Sequence, residues 1–186
     1  MVGLAQVPVG GVQQPQIQHA DILAVRGTRL LAKGILAATG NTVSHVGLVI
    51  SGDPPLVIEA LTRVKTNPLD VSIKDAEAAY LLKPLNLTAD QRRTIVYAAC
   101  ALSADGYGYL DIGLQGMDAL LHSRKPTDLL AGALGIKKHP ICSYLVAASY
   151  ERAGLNFGVN DKSITPADIF QFAKSNPAIY SVVRLK

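Results

Sequence analysis

Ser44-His45-Val46-Gly47-Leu48-Val49-Ile50, then Ser51-Gly52-Asp53-Pro54-Pro55, then Leu56-Val57-Ile58-Glu59-Ala60, reads as two strands around a turn. Val43 to Ile50 is rich in β-branched residues, Ser51 to Pro55 is a strong turn signal, and Leu56 to Leu61 is the returning strand. Alternation places Val46, Leu48 and Ile50 on one face of the first strand, the expected core, and His45, Gly47 and Val49 on the other. Gly47 carries no side chain, so open space for a reactant or partner is expected beside His45. Glu59 is an isolated carboxylate in an apolar strand and needs a partner, because an unpaired buried charge is costly. If the turn centres on Gly52, His45 faces Glu59 directly. If it centres on Asp53, the two are diagonal on one face. A one-residue slip would separate them. Glu59 is thus a candidate to orient His45 and stabilise its protonated form.

The chemistry that a strand-borne imidazole would serve is found much further along, in His139-Pro140-Ile141-Cys142-Ser143-Tyr144-Leu145-Val146. A polar, Pro-bounded stretch stops there and an apolar helix begins. A thiol at a helix start meets unpaired backbone N–H groups and the positive end of the helix dipole. Both favour the thiolate, which is the nucleophile. Cys142 as nucleophile, His45 as base and Glu59 as the orienting carboxylate form the expected catalytic set, with Ser143 a candidate substrate or oxyanion contact.

Composition narrows the classes. The chain has 186 residues, 49% hydrophobic and 17% charged, enough for one domain that buries roughly 70% of its unfolded surface. We expect an extended N-terminal segment over residues 1–19 and a single catalytic domain over 20–186. Net charge is +4, with dispersed basic residues and no recognisable nucleic-acid motif, so nucleic-acid binding is not expected. Two cysteines make no disulfide framework, and four histidines without metal spacing point to neither a metal nor another cofactor. No apolar run is long enough for a transmembrane helix, and Met1 to Gln18 lacks the pattern of a Sec signal. The expectation is a cytoplasmic protein or one exported by a non-Sec route.

The remaining pattern alternates strands and helices. Asp21 to Arg26 reads as a strand closed by Gly27, and Leu30, Leu31, Ile35 and Leu36 as a helix after Thr28. A strand near Val64, a short helix at Ile73 to Ala79 and a strand at Tyr80 to Pro84 follow. Thr88-Ala89-Asp90-Gln91 has the capping-box pattern and opens a helix through Leu102. Asp111 to Leu121 and Leu129 to Leu134 read as helical. Cys142 to Ala153 is a helix stopped by Gly154, Thr165-Pro166 opens another, and Ile179 to Leu185 is a closing strand. The class is α+β, one antiparallel sheet with helices packed against it.

Asp21-Ile22-Leu23 with Arg26-Gly27, then Ser44-His45-Val46-Gly47, Val57-Ile58-Glu59-Ala60 and Cys142-Ser143-x-Leu145-Val146 together resemble the circularly permuted NlpC-type, papain-like cysteine peptidases of the YiiX-like group. In that group the His strand precedes the Cys helix, as here. The resemblance runs from about Asp21 to Asp168. It implies a permuted papain-like fold with the Cys at a helix N-terminus, and a hydrolase of peptide or amide bonds through Cys142, His45 and Glu59. By the same analogy the substrates are the short peptides of peptidoglycan, a toxin-like effector role is open, and so is an immunity or regulatory partner. Tyr109 or Tyr107 would supply an oxyanion or substrate contact. The group commonly has Glu two residues after the nucleophile, where this chain has Tyr144. Permuted papain-like folds also include lipid acyltransferases and thioesterases, for which the helix from Leu30 to Ala38 would line an acyl pocket. A non-catalytic binding domain is the third reading.

Overall fold

A computed structural model describes residues 16–28, 42–60, 64–104, 141–160 and 164–186. The helix expected after Thr28 and those expected at Asp111 to Leu121 and Leu129 to Leu134 lie outside these residues, as do Tyr107 and Tyr109.

The hairpin read from the sequence is present as β2 (His45–Gly52) and β3 (Pro55–Ala60). Its register decides what the sequence left open. Leu48 pairs with Ile58 and Val49 with Val57, which centres the ladder on Asp53. Nearer the turn the pairs are Ser51 with Leu56 and Gly52 with Pro55, a register one residue different, and a bulge between Val49 and Ser51 absorbs the extra residue. Without that bulge the turn's own register would have sent His45 and Glu59 to opposite faces.

Four further strands complete one antiparallel sheet: β1 (Ile22–Gly27), β4 (Val64–Pro68), β5 (Ala76–Pro84) and β6 (Tyr180–Arg184), in the order β4-β3-β2-β1-β5-β6. Among the described residues there are four helices: α1 (Leu69–Ile73), α2 (Ala89–Ala104), α3 (Ile141–Glu151) and α4 (Pro166–Ser175). One expectation needs correcting here. The short helix forms at Leu69–Ile73, directly after Pro68, rather than at Ile73 to Ala79. Ala76, Ala78 and Ala79 are good helix formers, but they pair with Gly27, Arg26 and Val25 of β1, and sheet pairing overrides their propensity.

Both faces of the sheet are buried, which also extends the sequence reading. Ile22, Ala24, Val46, Leu48, Ile58 and Leu82 face a large core closed by residues of α2, α3 and α4. Leu23, Val25, Val49, Val57 and Leu81 form a second apolar group with Leu69 of α1. Fully burying side chains of this size contributes about 1.5–3 kcal/mol each. The helix starts are built as expected. Thr88 and Gln91 exchange backbone–side-chain hydrogen bonds at α2 (3.0 and 3.1 Å), and Thr165 and Asp168 do the same at α4 (2.8 and 3.2 Å). Gly154, with φ of 76°, ends the chain path out of α3 in the left-handed conformation that favours glycine.

The lead-in is tied down where it meets the sheet. Asp21 is fully buried, its carboxylate 2.8 Å from Lys83 Nζ and 3.4 Å from Arg92 Nη1, and it accepts the Gln18 N–H at 3.0 Å. Arg92 also donates to the carbonyls of His19 (2.7 Å) and Pro84 (2.9 Å), and Tyr150 of α3 donates to that of Ala20 (2.5 Å). This cluster joins the lead-in to β5, α2 and α3. It holds α3, and so its far N-terminal end, against the sheet.

Candidate active site

His45 opens β2 with its side chain largely buried. Its Nε2 lies 3.0 Å from Glu59 Oε1. The pair is diagonal across the hairpin, on the face shared by Gly47, Val49 and Val57, as the Asp53-centred register requires. Gly47 makes the diagonal reach feasible. A Cβ there would lie 2.7 Å from Val57 Cγ1 and 3.0 Å from Glu59 Cγ. The space over Gly47 is therefore filled by the Glu59 side chain crossing to the imidazole, and not left open for a reactant as the sequence suggested.

Glu59 is itself nearly inaccessible and has three partners among the described residues. Oε1 takes His45; Oε2 accepts from Asn67 Nδ2 at 3.0 Å and from Ser72 Oγ at 2.6 Å. Sequence reasoning missed both donors. The Asn67-Pro68 dipeptide was the available signal: it ends a strand and starts a helical turn, and Leu69 and Ser72 then fall on one face of that turn.

Cys142 sits in the first turn of α3, half-buried. Since Glu59 holds Nε2, Nδ1 is the ring nitrogen left for the thiol, and the Cys142 and His45 side chains are hydrogen-bonded. The β2–β3 ladder stops at Leu48–Ile58. Two residues beyond it, the backbone N–H of Val46 is directed to the sulfur, as is that of Ser143. The sulfur thus enters where the ladder ends, so a side chain from the helix-covered face meets an imidazole from the other.

These contacts set the charges. Burial opposes charging the imidazole, but hydrogen bonds to Cys142 and Glu59 outweigh it and push His45 up to about 10. Burial likewise opposes a Glu59 carboxylate. His45, Ser72 and Asn67 more than offset it and hold Glu59 down at about 2. For Cys142 burial favours the thiol, while His45 and the two backbone N–H groups bring it below its ordinary value. The contacts thus favour the charged form of each group in the chain: thiolate, imidazolium and carboxylate.

Ser143 is placed differently from its expected role. Its side chain is fully buried and donates to the Ile164 carbonyl at 2.6 Å, so it braces α3 against the residue before α4's cap. What it offers the site is its backbone N–H. Cys100, the second thiol, is exposed on α2 and free. Among the described residues no group of three or more His, Cys, Asp or Glu is arranged to hold a metal ion, and no helix is long and apolar enough to cross a membrane.

No protein-family model matches the chain, and no curated protein matches it by sequence. Solved structures do. The crystal structure of metalloprotein yiiX from Escherichia coli O157:H7, DUF1105, superposes with a TM-score of 0.54 at 22% identity, over 90% of this chain and 97% of that one. At that identity the likeness is one of fold: the chain has a YiiX-like arrangement of a six-stranded antiparallel sheet and packed helices.

Proposed function

We propose that this chain is a cysteine hydrolase of amide or peptide bonds, a circularly permuted relative of the NlpC-type papain-like enzymes, with peptidoglycan peptides as its substrates. The observation that carries the reading is the chain of contacts Cys142–His45–Glu59, in which one imidazole meets a thiol at a helix start and, through Nε2, a buried carboxylate. The YiiX-like fold and the order of the His strand before the Cys helix support the permuted assignment. The substrate class comes from the family resemblance alone.

In the proposed reaction Cys142 Sγ attacks the carbonyl carbon and the oxygen takes the negative charge. A backbone N–H at the start of α3 receives that oxyanion. His45 gives its Nδ1 proton to the departing amine, the C–N bond breaks, and the acyl group is left as a thioester on Cys142. Neutral His45 then takes a proton from water. The hydroxide attacks the thioester, and Sγ leaves as a thiolate beside the re-formed imidazolium. Glu59 stays ionised throughout and stabilises the imidazolium. The YiiX neighbour is described as a metalloprotein. The described residues of this chain offer no fitting donor set, since His45 Nε2 is occupied by Glu59, and no step is routed through a metal.

Purified peptidoglycan incubated with the wild type, Cys142→Ala and His45→Ala tests this. Muropeptide release is expected from the wild type only, and equal release from either variant would sink the assignment. A long-chain acyl adduct on Cys142 after incubation with phospholipid would move the reading to an acyltransferase or thioesterase.

A further inference from the structure

The segment from Val64 to Ile73 does more than edge the sheet. β4 and α1 are consecutive, and each sends one neutral donor to the same atom, Glu59 Oε2. Asn67 comes from β4, paired with Val57 and so one step diagonal from Glu59. Ser72 comes from α1, whose Leu69, one turn earlier, is buried in the second apolar group and fixes the helix in place. The Ser72–Glu59 separation of 2.6 Å is that of a hydroxyl donating to an ionised carboxylate. An ionised carboxylate only accepts, so Ser72 must donate.

We propose that Ser72 and Asn67 are positioning residues for the Cys142–His45 pair, occupying Oε2 so that Oε1 is kept on the imidazole. This rests on the hydrolase reading and deepens it. The carboxylate is nearly inaccessible, and a bare one would take up a proton or rotate away from His45. Two neutral donors prevent both without adding a positive charge, which would repel the imidazolium. A lysine or arginine in their place would hold the carboxylate equally well and weaken its effect on His45. The charged groups on the packed elements leave that role clear. Lys65, the cross-strand partner of Glu59, and Asp70 of α1 are exposed, His45 of β2 is the acceptor of the effect, and Cys142 of α3 acts through it.

The test is the rate of iodoacetamide alkylation of Cys142 as a function of pH, in a Cys100→Ser background that removes the exposed second thiol. Ser72→Ala is expected to shift the midpoint of the profile upward by about one unit and to slow alkylation on its acid side about tenfold, the worth of one hydrogen bond to a charged group. Ser72→Thr keeps the hydroxyl and is expected to keep the wild-type midpoint. Ser72→Ala with Asn67→Ala together is expected to shift it further. A merely structural role would lower the melting temperature and leave the midpoint in place. An unchanged midpoint in folded Ser72→Ala, or in Asn67→Ala if the former does not fold, would overturn the proposal while leaving the hydrolase reading intact. A wild-type midpoint near that of a free thiol, about 8.5, would overturn both.

Discussion

Two buried carboxylates serve the sheet in opposite ways. Asp21, before β1, is held by two cations and a backbone N–H. Glu59, in β3, is held by two neutral donors and one titratable ring. The Asp21 cluster ties the lead-in to β5, α2 and α3, and its guanidinium does not lose its proton in a protein. Among the described residues, the Glu59 cluster keeps its positive partner on a titratable ring, which in the proposed turnover gains and loses a proton. Burial is common to both; what separates structure from chemistry is whether the compensating charge can move.

The largest break of this comparison is at Glu59. Glu59→Gln keeps the shape and removes the charge, and is expected to lower hydrolysis about 10²- to 10⁴-fold. It should cost only about 1–2 kcal/mol of stability, because His45 can shed its proton, and urea titration alongside turnover reads both. The mirror experiment is Asp21→Asn. It leaves Lys83 and Arg92 short of a counter-charge and is expected to cost about 3–5 kcal/mol in the same titration, while the folded fraction alkylates Cys142 at the wild-type rate. A Glu59 variant that unfolds as readily as the Asp21 variant would erase the distinction.

A smaller effect tests the packing that lets Glu59 cross the hairpin. Gly47→Ala drives a Cβ into Val57 and Glu59 and is expected to cost about 1–3 kcal/mol and to reduce turnover, because the carboxylate is displaced from His45. The glycine contact with Val57 is the closer of the two, so adding Val57→Ala should recover stability, and full recovery of activity with it would show that Glu59 has returned.

The smallest effect is on the pH dependence of stability. Folded His45 is raised from 6.5 to about 10, so its contribution is fully present below 6.5 and is lost as pH rises toward 10. Folded Cys142 is lowered from 9.0, so its contribution is present above 9.0 and lost as pH falls. Between 6.5 and 9.0 the two contributions oppose each other, since folding adds protons at His45 and removes them at Cys142. From this pair the urea midpoint is expected to change less with pH across that window than either group alone would make it. It should fall outside it by up to about 1.4 kcal/mol per pH unit for each unmatched proton. Glu59, lowered from 4.5 to about 2, adds a further loss as pH drops from 4.5 toward 2. In Cys142→Ala combined with His45→Ala the changes of slope at 6.5 and 9.0 should disappear.

The same two clusters show what the sequence could and could not carry. The hairpin, the helix at Cys142 and the capping box at Thr88 follow from local pattern. Whether His45 and Glu59 are opposite, diagonal or on different faces is not legible, because the bulge after Val49 is a tertiary adjustment with no mark in the residues. Gly47 reads as open space in the sequence because the neighbouring strand's side chains are invisible to single-strand alternation. The α1 helix was displaced toward Ala76 to Ala79, since propensity there favours a helix and only pairing with β1 reverses it. Asn67 and Ser72 were missed for the same reason: donors to a buried carboxylate are chosen by register and by the turn after Pro68, not by composition. Asp21 was legible as the start of a strand, but its partners, 62 and 71 residues away, were not.

The most direct test of the account is the ionisation of Cys142 at rest, read by ultraviolet thiolate absorbance in the Cys100→Ser protein. A thiolate that appears below the ordinary thiol range, and returns to that range in His45→Ala, is the predicted result, because the ring is what pulls the thiol down. Absorbance appearing only near pH 8.5, about the free-thiol value, and unaffected by His45→Ala would contradict it.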